Sequence, residues 1–140
     1  MINLPKKNSY ELPEGYYTCV LYEIFFSQRN GRGEPEETLR MVYRITSLTH
    51  PRYVYFAGKN YKLSDATSLA KDLDTWLGKE LDTLVGPNGE IFLEQLETLK
   101  GRAADIEIVL IDNDDYPTAY RHIVRITPPG ILVERLDGAA

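Results

Sequence analysis

Bases and aromatic rings are interleaved through the first half of the chain, a pattern suited to binding single-stranded nucleic acid. Arg40 and Arg44 share one parity of the alternating segment Leu39–Thr46, opposite the apolar set Leu39, Met41, Tyr43 and Ile45. Arg52, Tyr53, Tyr55, Lys59, Tyr61 and Lys62 follow in the next stretch. Arg29 and Arg32 lie in the charged, glycine-bearing segment before it. Guanidinium and ammonium groups neutralise phosphates, and aromatic rings stack on bases. The candidate phosphate contacts are Arg40, Arg44, Arg52, Lys59 and Lys62. Tyr53, Tyr55 and Tyr61 are the candidate stacking rings. Alternation alone does not place Tyr53, Tyr55 and the residues after Gly58 on one face.

Other chemistries find less support. The chain has no G-x-S-x-G, no Walker loop, no H-E-x-x-H and no G-x-G-x-x-G. Cys19 sits in an apolar run and reads as a small buried hydrophobe rather than a nucleophile. A single cysteine excludes an internal disulfide, and with only His50 and His122 beside it a zinc cluster is not expected. Asp112, Asp114 and Asp115 offer hard oxygen ligands, but Tyr116 and Pro117 break the EF-hand pattern. A solvated turn is the better reading, so no metal, cofactor or catalytic residue is expected. Gly31-Arg32-Gly33 reads as a hairpin tip.

The elements that must hold the candidate residues follow from periodicity. Gly15–Ser27 is dense in aromatic and β-branched residues and long enough for a bent strand that changes partners. Gln28–Glu37 reads as an exposed loop, Leu39–Thr46 as a half-buried strand, and Tyr53–Leu63 as a third strand with Gly58 a candidate bulge. The period changes at Ser64, which can cap a helix carrying Ala66, Leu69, Ala70, Leu73, Trp76 and Leu77 and stopped by Gly78. Residues 79–91 hold the turn Gly86-Pro87-Asn88-Gly89, and a shorter helix spans about Phe92–Lys100. Strands at Asp105–Ile111 and Tyr120–Thr127 close the series, separated by an acidic loop. Three strands, a helical insertion and two strands predict a mainly β, five-stranded OB-fold-like Greek-key barrel with the insertion between strands three and four. The alternative is an α+β sandwich. Residues 1–14 read as an N-terminal arm, 15–130 as the domain and 131–140 as a mobile tail. The readout face of such a barrel is built from its second and third strands and adjoining loops, where the candidate residues fall. The helix should cap the barrel's open end.

Composition sets the bounds. The 140 residues, 43% hydrophobic and 26% charged, make a single soluble domain. No apolar run approaches a membrane span, and the first residues lack the apolar stretch of a signal peptide, so a cytoplasmic protein without a membrane partner is expected. The net charge of −5 argues against indiscriminate polyanion binding, but residues 1–63 carry nine bases and six acids. Ten tyrosines is a high count for this length.

The stretch from Lys59 to Gly130 resembles a family of small phage and prophage proteins found near replication and recombination functions. Asn60-Tyr61-Lys62-Leu63-Ser64 is similar to that family's passage from third strand to helix. Leu73-Asp74-Thr75-Trp76-Leu77-Gly78-Lys79 resembles its tryptophan-bearing helix end. Leu96 through Arg102, the closing Tyr120–Pro128 and the Gly15-Tyr16 strand entry match more loosely. The resemblance implies an OB-like barrel that binds single-stranded DNA without enzymatic activity, in phage replication or recombination. Leu136–Ala140 departs from the acidic, aromatic-tipped tails by which such proteins recruit partners. A protein–protein adaptor or structural subunit on the same barrel is the competing expectation, with self-association or a replication or recombination protein as partner. A metal-assisted nuclease using the Asp112–Asp115 loop ranks third.

Overall fold

The computed structural model describes residues 1–9, 11–30, 35–112 and 120–133. In chain order the elements are β1 (Lys7–Ser9), β2 (Gly15–Asn30), β3 (Pro35–Ile45), β4 (Tyr53–Lys62), α1 (Thr67–Leu77), a 3₁₀ turn (Gly78–Glu80), α2 (Leu81–Leu84), α3 (Leu93–Glu97), β5 (Ala103–Ile111) and β6 (Tyr120–Thr127). The strands form one sheet in the order β1-β4-β3-β2-β5-β6. Only β1 pairs in parallel, with β4 at Lys7↔Tyr53 through Ser9↔Tyr55. The protein is therefore mainly β, with six described strands rather than five. The sixth arises in the segment expected to be a free arm.

β2 organises the sheet. Its first residues pair with β5 (Gly15↔Ile108 to Val20↔Ala103), and from Cys19 onward it pairs with β3. The register with β3 steps from Leu21↔Tyr43 to Glu23↔Val42, leaving Tyr22 as an inserted residue. A second step, between Glu107 and Ile108, lies in the β5–β6 ladder. Inserted residues bend a strand and increase its twist, which curls this sheet into a half-barrel. Gly58 is not a bulge: the β3–β4 register runs unbroken from Thr38↔Lys62 to Arg44↔Phe56.

One face of the sheet carries the core. Cys19, Leu21, Ile24, Leu39, Met41, Tyr43, Ile45, Ala104, Ile106 and Ile108 are buried there. α1 adds Leu69, Leu73, Trp76 and Leu77 at helical spacing. Trp76, 4% exposed, meets the Tyr43 ring edge-on at 6.1 Å and donates from Nε1 to the Ala103 carbonyl at 2.9 Å. Ser64 does not cap this helix. The side chain of Asp65 accepts from the Thr67 amide and hydroxyl instead, and helical pairing begins only at Thr67. Gly78 ends α1 at φ +59, a left-handed conformation that favours glycine. α2 lies in a stretch expected to be loop, and α3 is shorter than expected, with Gln95 Oε1 accepting from the Phe92 amide.

Segments that flank the sheet on either side are tied to it. Leu12 is 1% exposed within the core, and its carbonyl accepts from Arg121 Nε on β6 at 2.6 Å. Pro13 accepts from Tyr17 Oη, and Glu14 accepts from the Leu110 amide. Residues 7–9 thus lie at the β4 edge, and residues 12–14 reach β6 and β5. On the other side the buried carboxylate of Asp105 accepts from Thr18 Oγ1 and from the amides of Gly130, Leu132 and Val133. Residues 131–133, expected to be tail, are held by that carboxylate. No helix of the described residues is long and apolar enough to cross a membrane.

Candidate nucleic-acid interface

Strand alternation divides the candidate residues between two faces. In the β3–β4 ladder Tyr43↔Ala57, Met41↔Lys59 and Leu39↔Tyr61 point to the core, while Arg40↔Asn60, Val42↔Gly58, Arg44↔Phe56 and Thr38↔Lys62 point outward. Lys59 and Tyr61 are therefore interior groups. Lys59 Nζ and Tyr61 Oη each lie 2.7 Å from Asp72 Oδ2 of α1. Lys59 is only 9% exposed, and the two side chains latch α1 to β4. Burial first, then the neighbouring Tyr43 and the bond to Asp72, push the Tyr61 phenol pKa well above its ordinary value. Tyr43 is raised by burial too, and its hydroxyl has no hydrogen-bond partner among the described residues.

The outward set forms a surface. Arg40 and Arg44 stand four residues apart on β3, about 13 Å at strand rise. Neither takes part in a described ion pair. Cross-strand from Arg40 on β2 is Phe25, 53% exposed, and cross-strand from Arg44 on β4 is Phe56. Tyr22, the residue inserted at the register step and 54% exposed, meets the Phe56 ring at 5.1 Å. A cleft of about 880 Å³ is lined by Tyr22, Phe25, Arg40, Phe56, Gly58 and Asn60, and on its β6 side by Tyr120, Arg121 and His122. One acid in its wall, Glu23, is neutralised by Lys100 at 2.6 Å, which also bridges Glu97. His122 is drawn below the ordinary histidine pKa by burial and then by Lys59, with Asp72 opposing, which favours its neutral form.

A second, shallower recess of about 220 Å³ continues along the same sheet at Arg44, with Lys6, His50, Tyr53 and Tyr55 in its wall. The His50 and Tyr53 rings lie 4.7 Å apart, and His50 Nδ1 accepts from the Arg52 amide. Tyr55 leans on the core, and Arg52 Nε is buried without a protein partner.

The structure thus gathers Arg40 with the larger cleft and Arg44, Tyr53 and Tyr55 with the smaller one, with Arg52 next to the latter. It turns Lys59 and Tyr61 inward. Lys62 sits at the far end of β4, exposed and 3.6 Å from Glu36. Arg29 falls on β2 with its side chain outside the description, and Arg32 lies outside the described residues, as do Asp114 and Asp115. Among the described residues no three His, Cys, Asp or Glu side chains gather as metal ligands.

Tyr22, Phe25, Phe56, Tyr120, Arg121 and His122 were not singled out from sequence as contacts. Their signal was the aromatic density of Gly15–Ser27 and the His among aromatics in the last strand. The first read equally well as core, because the inserted residue in β2 reverses the parity of every residue beyond it. In comparisons with known proteins the chain matches no family model and no curated sequence.

Proposed function

We propose that the protein is a non-enzymatic binding module for single-stranded nucleic acid, with DNA as the expected ligand, and that the outer face of β2, β3 and β4 is its binding surface. The observation that carries this reading is the combination on that face: the guanidinium groups of Arg40 and Arg44, in no ion pair among the described residues, stand beside the exposed rings of Phe25 and Tyr22 and the half-buried ring of Phe56. Phosphates seek such cations, and bases stack on such rings whatever their identity. The basic strip also accounts for how a chain of net charge −5 would bind a polyanion locally.

The finer fold assignment belongs to the same proposal. Leaving β1 aside, β2 to β6 supply five strands with the helices inserted between the third and fourth, which supports reading the half-barrel as an opened OB fold. On that reading Arg40, Arg44, Phe56 and Gly58 occupy the second and third barrel strands, where OB folds bind oligonucleotides. The resemblance to phage and prophage proteins supports a role in replication or recombination.

Titration of a fluorescent oligothymidylate at several salt concentrations tests the proposal. Binding should weaken linearly on a log–log plot as salt rises. A flat response at the lowest salt, accompanied by self-association in light scattering, would instead support the adaptor role, with the exposed aromatics as a protein-binding surface.

A further inference from the structure

Gly58 has no unusual backbone conformation; its φ is not positive and its register is regular. What it lacks is a side chain, and the space is filled by Arg40. A Cβ at position 58 would lie 2.6 Å from Arg40 Cζ and 3.0 Å from Nε, and would collide with Nη2. The guanidinium therefore occupies the space beside Gly58 that a side chain would need. It is fixed there by Nη1, which donates to Asn60 Oδ1 at 3.0 Å.

This pose matters because Arg40 has Phe25 as its cross-strand neighbour on the other side. An arginine free to swing could cover that ring by cation–π stacking. Leaning toward β4, it leaves Phe25 more than half exposed at the cleft wall.

We infer that Gly58 and Asn60 are positioning residues that hold the Arg40 guanidinium off the Phe25 ring. One nucleotide of a single strand can then place its base on Phe25 and its phosphate on Arg40. The inference rests on the nucleic-acid reading of this face. It adds to that reading a specific preorganised arginine–aromatic pair and two residues that touch no ligand themselves. A side chain already ordered loses less freedom on binding, and here glycine provides the ordering by absence.

The test is a double-mutant cycle in the full chain, read by anisotropy of labelled oligothymidylate and by thermal melting. Arg40→Ala should bind about tenfold more weakly, the worth of one charge-assisted contact. It should also lower the salt slope by about 0.7, one phosphate's share on a single strand. Gly58→Ala should melt no lower than wild type, because only the tip of a flexible side chain must move, yet should approach the Arg40→Ala affinity. In the Arg40→Ala background Gly58→Ala should have no further effect. Asn60→Ala should give a smaller loss. If wild type binds and Gly58→Ala binds equally well, or is equally harmful without Arg40, the positioning role is overturned while the broader reading stands. If wild type does not bind, the broader reading fails.

Discussion

Asp72→Ala isolates the latch that joins α1 to β4. The substitution removes the acceptor of both Lys59 Nζ and Tyr61 Oη, each at 2.7 Å, and leaves a largely buried ammonium without a counter-charge. Deleting one partner of a buried pair costs about 3–5 kcal/mol. Because Lys59 also borders an open cleft and can recruit water, the lower end, about 3 kcal/mol, is expected here. At about 3 °C per kcal/mol for a domain of this size, melting should fall by roughly 10 °C. Lys59→Met should cost less, because the methionine fills similar volume and Tyr61 still bonds Asp72. Combining Lys59→Met and Tyr61→Phe with Asp72→Leu should recover most of the loss, since no buried polar group is then left without its partner and well-packed apolar replacements of buried pairs are often neutral. Thermal denaturation of the four proteins reads the series. An Asp72→Ala protein that melts with wild type would show that the pair is solvated. The same series bears on function: Lys59→Met should leave oligonucleotide affinity and salt slope unchanged. A loss matching that of Arg40→Ala would return Lys59 to the phosphate contacts.

Other consequences follow from particular side chains. The folded state holds the Tyr43 and Tyr61 protons, and the unfolded chain releases them near pH 10. Their stabilising contribution is thus complete below that pH and declines above it, toward the raised folded values. Ultraviolet titration should show these two phenols silent until alkaline unfolding; smooth titration of all ten tyrosines in the folded protein would contradict their burial. Asp105→Ala removes the acceptor of three backbone amides and should cost about 2–3 kcal/mol in urea unfolding, with faster hydrogen exchange at Gly130, Leu132 and Val133. Unchanged exchange there would refute the anchoring. Trp76→Ala should cost about 3–5 kcal/mol, whereas Trp76→Phe mainly strands the Ala103 carbonyl at about 1 kcal/mol; equal costs would deny the ring its packing role.

Much of the framework was legible from local pattern. The alternation of Leu39–Ile45 set its inner and outer faces correctly, and the length of the first strand implied the change of partner that β2 makes at Cys19. The helical spacing of Leu69, Leu73, Trp76 and Leu77 located α1 and its buried stripe. Long-range facts were illegible. Nothing near Lys59 announces Asp72, which reaches it only because α1 folds back on β4, so a buried latch read as a phosphate contact. Likewise Lys7–Ser9 becomes a strand only because the edge of β4 is available to it. The inserted residue at Tyr22 depends on β2 serving two partners, and it turns Glu23 and Phe25 outward and Ile24 inward. A one-residue shift reverses every side chain beyond it, so sequence could not assign that aromatic run to a surface.

The most direct test of the binding surface is a residue-resolved NMR titration of the labelled protein with oligothymidylate at low salt. The account predicts shifts concentrated on the outer face, at Tyr22, Phe25, Arg40, Arg44, Phe56, Gly58 and Asn60, with α3 and the Asp105 anchor unmoved. Shifts confined to the helical insertion, or a spectrum indifferent to the oligonucleotide, would contradict it.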